Sequence, residues 1–169
     1  SARCRVSAQT TAAAAHGRAF HAAFVEAISE EQLTILLGAS QVRSKTLDDP
    51  FVSNRFLVQD DHEIPWPITK PVRKAMFKGE TPGLSRLPAL KEVVEGIEPF
   101  DAAGIEAALD AYAQSACDGN LGQVAQPLRV AVTGGPVSPP IHATLAMLGK
   151  EATVNRIERC IEALSKVEV

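Results

Sequence analysis

Apolar residues recur at helical spacing along most of this chain, and no two segments alternate in the way that paired strands do. From Gly17 onward, Phe20, Phe24 and Ile28 return every four residues with Ala23 and Ala27 beside them, which predicts a helix. Ser29-Glu30-Glu31-Gln32 has the spacing of a capping box and opens a second helix, Glu30 to Leu37, with Gly38 as its stop. A third is predicted over Ser44 to Leu57, interrupted near Asp49-Pro50. Gln59 to Ile68 breaks the pattern, because prolines on both sides of Trp66 prevent regular helix. A cationic stretch follows, with Lys70, Arg73, Lys74 and Lys78, and then a turn at Thr81-Pro82-Gly83. Leu84, Leu87, Leu90, Val94 and Ile97 mark the next helix. Asp101 caps another, with Ile105, Ala108, Leu109, Tyr112 and Ala116 on one face and Asp118-Gly119-Asn120 closing it. Ile141, Leu145 and Leu148 define a short helix. Gly149 separates it from the last one, marked by Val154, Ile157, Ile161 and Leu164.

One segment reads both ways. Leu128, Val130 and Val132 alternate like a strand, while Leu121, Val124, Leu128 and Ala131 fit a helix. A strand needs a partner and the chain offers none, so helix is expected, bent or begun at Pro127. The fold class is therefore all-α. At 169 residues the chain suits one ordinary domain or two small ones. A soft boundary near Gly96 to Phe100 divides it into 1–97 and 98–169, with the helix in 1–28 unassigned.

Composition narrows the function classes. With 46% hydrophobic and 22% charged residues the chain is not disordered. No apolar run approaches a membrane span, no secretory leader is expected, and the expected location is cytoplasmic. A formal net charge of −3 excludes a strongly cationic nucleic-acid coat, though not a local basic patch. Cys4, Cys117 and Cys160 are odd in number and widely spaced, so neither a disulfide framework nor structural zinc is expected. His16, His21, His62 and His142 show no metal-ligand spacing, and no metal is expected.

Catalytic motifs are missing too. Gly134-Gly135-Pro136 lacks the Lys-Ser/Thr of a phosphate loop. Asp48-Asp49 and Asp60-Asp61 read as solvated surface or helix caps, and no Ser or His sits in a nucleophile turn. The informative stretch is Leu121-Gly-Gln-Val-Ala-Gln-Pro-Leu-Arg-Val-Ala-Val-Thr-Gly134, followed by Val137-Ser-Pro-Pro-Ile141 and Leu148-Gly-Lys-Glu151. It describes a helix carrying one arginine, a glycine turn, and a stiff Ser-Pro-Pro corner that feeds another helix. Arg129 lies among apolar neighbours. Its guanidinium either forms a surface salt bridge or offers a planar donor to a base edge or phosphate.

This stretch resembles the C-terminal anticodon-binding region of bacterial glutamyl-tRNA synthetases. Arg43-Ser44-Lys45-Thr46-Leu47, some eighty residues before the second arginine, and Glu98-Pro-Phe-Asp101 are similar to further segments of that family. The likeness runs from about Arg43 to Leu164. It implies an all-helical cage of two small subdomains that grips the anticodon loop of tRNA(Glu). By this resemblance Arg43 reads the third anticodon base, Arg129 lies near the anticodon, and Ser138, Pro139 and Ile141 form the corner against which the first base packs. An arginine at position 43 is similar to that of synthetases that reject the glutamine tRNA. Pro140 departs from the family's usual small residue and stiffens the corner.

The motifs of the synthetase catalytic fold are not found. The resemblance therefore implies a region that does not activate glutamate alone and needs no cofactor, whereas its parent enzyme uses ATP and Mg. Its partners would be the anticodon loop and the parent's catalytic domain, with no membrane. Lys70, Arg73, Lys74 and Lys78 are candidate phosphate contacts or a solvated helix face. Trp66 either stacks on an unpaired base or anchors its loop against the core, and the flanking prolines favour the anchor. The rival to RNA recognition is a helical interaction or oligomerisation module that kept the fold and lost RNA binding; the acidic balance and the Ser-Pro-Pro corner support it.

Overall fold

In the computed structural model, residues 24–40 and 54–167 are described. Those residues are helical, with short 3-10 turns and no strand among them. Residues 24–27 are helical, and the α-helices that follow among the described residues are α1 (Glu30–Ser40), α2 (Lys70–Phe77), α3 (Gly83–Glu95), α4 (Ala102–Ala116), α5 (Gly122–Thr133), α6 (Ile141–Leu148) and α7 (Lys150–Ser165). The chain divides into two compact units, residues 1–63 and 64–169. The soft boundary at residues 96–100 thus falls inside the second unit, in the link between α3 and α4.

In the first unit, Ser29 opens α1 as its sequence requires. The Ser29 N–H donates to Gln32 Oε1 (2.9 Å) and the Gln32 N–H to Ser29 Oγ (3.1 Å), a reciprocal capping box. Gly38 does not stop this helix, which continues to Ser40. Glycine inside a helix costs about 1 kcal/mol relative to alanine, which weakens a helix without ending it. Of the helix expected over 44–57, residues 44–53 lie outside the described ones, and Arg55–Leu57 form a single 3-10 turn. Phe24, Leu36, Phe56, Leu57 and Val58 are buried.

The second unit is built on α7, which packs against α3, α5 and α6. Its inner stripe is Thr153, Arg156, Ile157, Cys160 and Leu164; Val154 and Ile161 flank it, half-buried. Asp101 caps α4 by accepting the Gly104 N–H at 2.7 Å. Asp118 and Gly119 then turn the chain through the left-handed region, with φ of 50° and 75°.

The ambiguous segment is helix α5. It begins at Gly122, five residues ahead of Pro127, which sits inside it. Proline lacks only the N–H that would reach back to residue 123, near the helix start, so the helix accommodates it. Pro127 is buried and defines the meeting point of three helices. A Cβ on Gly83, at the start of α3, would run into the Ala75 carbonyl of α2 and lie 2.7 Å from Pro127 Cγ. Only a residue without Cβ lets α2, α3 and α5 approach this closely.

Candidate nucleic-acid interface

The C-terminal end of α5 and the turn after it form the candidate site. Gly134 stands just past the helix in the left-handed conformation (φ 81°), and its N–H donates to the Val130 carbonyl at 2.9 Å. The two carbonyls that follow Val130 point past the helix end and need donors from elsewhere. Trp66 Nε1 donates to the Ala131 carbonyl (3.1 Å), so Trp66 anchors its proline-bracketed loop on α5. Arg156 Nη1 donates to the Val132 carbonyl (2.9 Å) from a fully buried position on α7. A guanidinium there also faces the negative end of the helix dipole. Thr133 Oγ1 lies 2.8 Å from the Arg129 carbonyl and receives the Gly135 N–H at 3.3 Å, tying the turn to the last helical residue.

This clamped end carries Arg129. Half-buried, it donates from Nε to Ser138 Oγ at 2.8 Å, across the turn. Ser138 Oγ in turn donates to the Pro139 carbonyl at 2.7 Å. Behind them the fully buried Thr144 Oγ1 sits 3.1 Å from the Pro140 carbonyl and 3.3 Å from Ser138 Oγ. Its single proton serves one of these acceptors at a time, closing the corner from below. The bond through Nε fixes the plane of the guanidinium.

Arg129, Ser138 and the Pro139 carbonyl are therefore joined by hydrogen bonds, and Ser138, Pro139 and Ile141 are buried. The corner's outward surface belongs to Pro140, which is exposed, and to Val137, 66% exposed. Arg43 lies outside the described residues. Lys70, Arg73, Lys74 and Lys78 are all exposed along α2 and its C-terminal cap, while Val72 and Met76 fill the buried face. Sequence reasoning missed Thr144, Val137 and Arg156. Thr144 sits one turn beyond the Pro-Pro pair, where a hydroxyl bonding back to carbonyls was a findable signal. Arg156 had none, since an arginine in a helix is ordinarily surface.

Comparison with known proteins gives the same direction. Residues 11–161 match the family described as the anticodon binding domain. Glutamate–tRNA ligase 1 of Alkalilimnicola ehrlichii is 38% identical over 136 residues, which are 79% of this chain and 27% of that protein. The glutamate–tRNA ligase of Rhodopseudomonas palustris is 35% identical over 142 residues, 83% of this chain and 28% of its own. Among solved structures, a glutamate tRNA ligase from Elizabethkingia meningosepticum in complex with its amino acid superposes with a TM-score of 0.67. It is 25% identical and covers 81% of this chain and 26% of its own. The chain thus spans about a quarter of the length of these relatives. Matched over residues 11–161, and similar over 79% of its length to a glutamate–tRNA ligase, the chain belongs to the anticodon binding domain family.

Proposed function

We propose that this chain recognises the anticodon loop of tRNA(Glu) on behalf of a glutamate–tRNA ligase. The observation that carries this reading is the Arg129–Ser138 pair, a charged planar donor held by a hydroxyl on a stiff corner at a clamped helix end. Such a group meets an unstacked base or a phosphate with little loss of rotamer freedom on binding. Val137 and Pro140 supply the apolar surface on which a splayed base rests, while Ser138, Pro139 and Ile141 hold that surface in place. Arg43 adds a second reading arginine, and Lys70, Arg73, Lys74 and Lys78 hold the RNA backbone. Recognition by this region positions the acceptor end of the tRNA in the catalytic domain of the parent enzyme. ATP and Mg act there, and this region itself holds neither.

The test is binding of the chain to a tRNA(Glu) anticodon stem-loop against unrelated stem-loops. Selective binding is expected, weakened about tenfold or more by Arg129→Ala, the loss of one charge-assisted contact. Equal binding to all stem-loops would sink the reading, and no binding at low salt would sink it in favour of the interaction-module alternative. ATP–pyrophosphate exchange by the chain alone would contradict the division of labour.

A further inference from the structure

A groove of about 970 Å³ opens between α2, the start of α3, the C-terminal end of α4 and the N-terminal half of α5. That volume is at the upper end of the ~300–1,000 Å³ typical of small-molecule sites, and it exceeds what a bare phosphate fills. Lys74, Lys78 and Arg86 bring positive charge to it, and Glu80 and Asp118 also line it. Arg86 is fixed: Nη1 donates to the Ala116 carbonyl (3.2 Å) and to Cys117 Sγ (2.9 Å), and Nη2 to Gln123 Oε1 (2.7 Å). None of these acceptors is a carboxylate. Because Gln123 Oε1 is committed to Arg86, its amide NH₂ is the group left to donate to a ligand. Half-buried Gln126, one helical turn further along α5, adds a second amide with both a donor and an acceptor. Pro136 lines the same groove two residues before Ser138, so the groove adjoins the turn that carries the Arg129 corner.

We propose that this groove takes one nucleotide of the same RNA strand, its phosphate at Lys74 and Lys78 and its base edge against the amides of Gln123 and Gln126. The inference rests on the anticodon-loop reading and adds a further base-reading position to it. Cations along one wall with amides opposite match a nucleotide, which joins an anionic phosphate to a flat edge of alternating donors and acceptors. The lysines are exposed rather than enclosed, which suits a strand passing through.

The experiment measures binding of the chain to the tRNA(Glu) anticodon stem-loop and to a panel with each loop nucleotide replaced in turn, at several salt concentrations. The Lys74→Ala/Lys78→Ala pair should weaken every loop about tenfold and flatten the salt slope by about 1.4, the value for two single-strand phosphate contacts. Gln126→Ala should leave the slope unchanged and erase preference at one loop position, a different one from that affected by Arg129→Ala. Exposed Gln123→Ala reports on the same position should Gln126→Ala fail to fold. If both glutamine variants keep every preference while Arg129→Ala still weakens binding, the groove assignment is wrong and the anticodon reading stands. If the unsubstituted chain does not discriminate among loops, both fall. Full competition by free nucleoside monophosphate at equal concentration would overturn the strand assignment.

Discussion

Gly134 concentrates several demands in one residue. It ends α5, it needs a positive φ, and a Cβ there would run into the Pro65 carbonyl of the Trp66 loop. An L-residue in that conformation costs ~1–2 kcal/mol before any clash is counted. Gly134→Ala should therefore lower the unfolding free energy by about 2 kcal/mol or more in urea denaturation. Its neighbour supplies the control. A Cβ on Gly135 meets nothing within 4 Å, so Gly135→Ala should stay within about 0.5 kcal/mol of the parent. A comparable loss at both positions would show that the turn, rather than the Pro65 approach, sets the cost.

At the scale of elements, α5 is the part whose end is held from two sides, by Trp66 from its loop and by Arg156 from α7. Arg156→Ala would strip the Val132 carbonyl of this donor and leave a cavity in the face that α7 presents to α5. A loss of ~3 kcal/mol is expected, combining an unpaired buried carbonyl with the missing side-chain volume. Stem-loop affinity at saturating stability (low temperature, no denaturant) should fall as well, because Arg129 leaves from the same helix end. Unchanged stability would mean that Arg156 is not part of this clamp. The helices of the second unit were legible in advance because amphipathic spacing, the Asp101 cap and the Asp-Gly-Asn stop are local signals. Burial of Arg156 was not legible, since its warrant is a carbonyl 24 residues earlier that only the folded chain brings near. For the same reason the Arg129–Ser138 pairing was not legible: both residues stand out in the sequence, but Arg129 reads there as a surface salt bridge or an RNA contact instead. The Gly38 stop failed because glycine ends a helix by its conformation, and not by its identity alone.

For the molecule as a whole, pH tests whether α7 is the centre of the second unit. Cys160 lies on its buried stripe, and removal from water pushes its thiol up to about 12 from an ordinary value near 9. Burial disfavours the thiolate, so the folded chain keeps its proton where the unfolded chain has lost it. The unfolded state then binds fewer protons between pH 9 and 12, and stability must fall with rising pH through that window. The slope approaches ~1.4 kcal/mol per pH unit once the unfolded thiol is fully ionised. Around pH 7 both states are protonated and the thiol contributes no pH dependence. Urea denaturation at pH 8 and at pH 10 should accordingly show a loss of about 1.4 kcal/mol. Cys160→Ala is less stable at both values but loses that increment, because its side chain has no proton to release. Since α7 packs against α3, α5 and α6, the loss should appear as an earlier midpoint of one cooperative transition for residues 64–169. A pH-dependent step confined to α7, with the other helices melting later, would instead make that helix a separable layer and remove it from the centre of the unit.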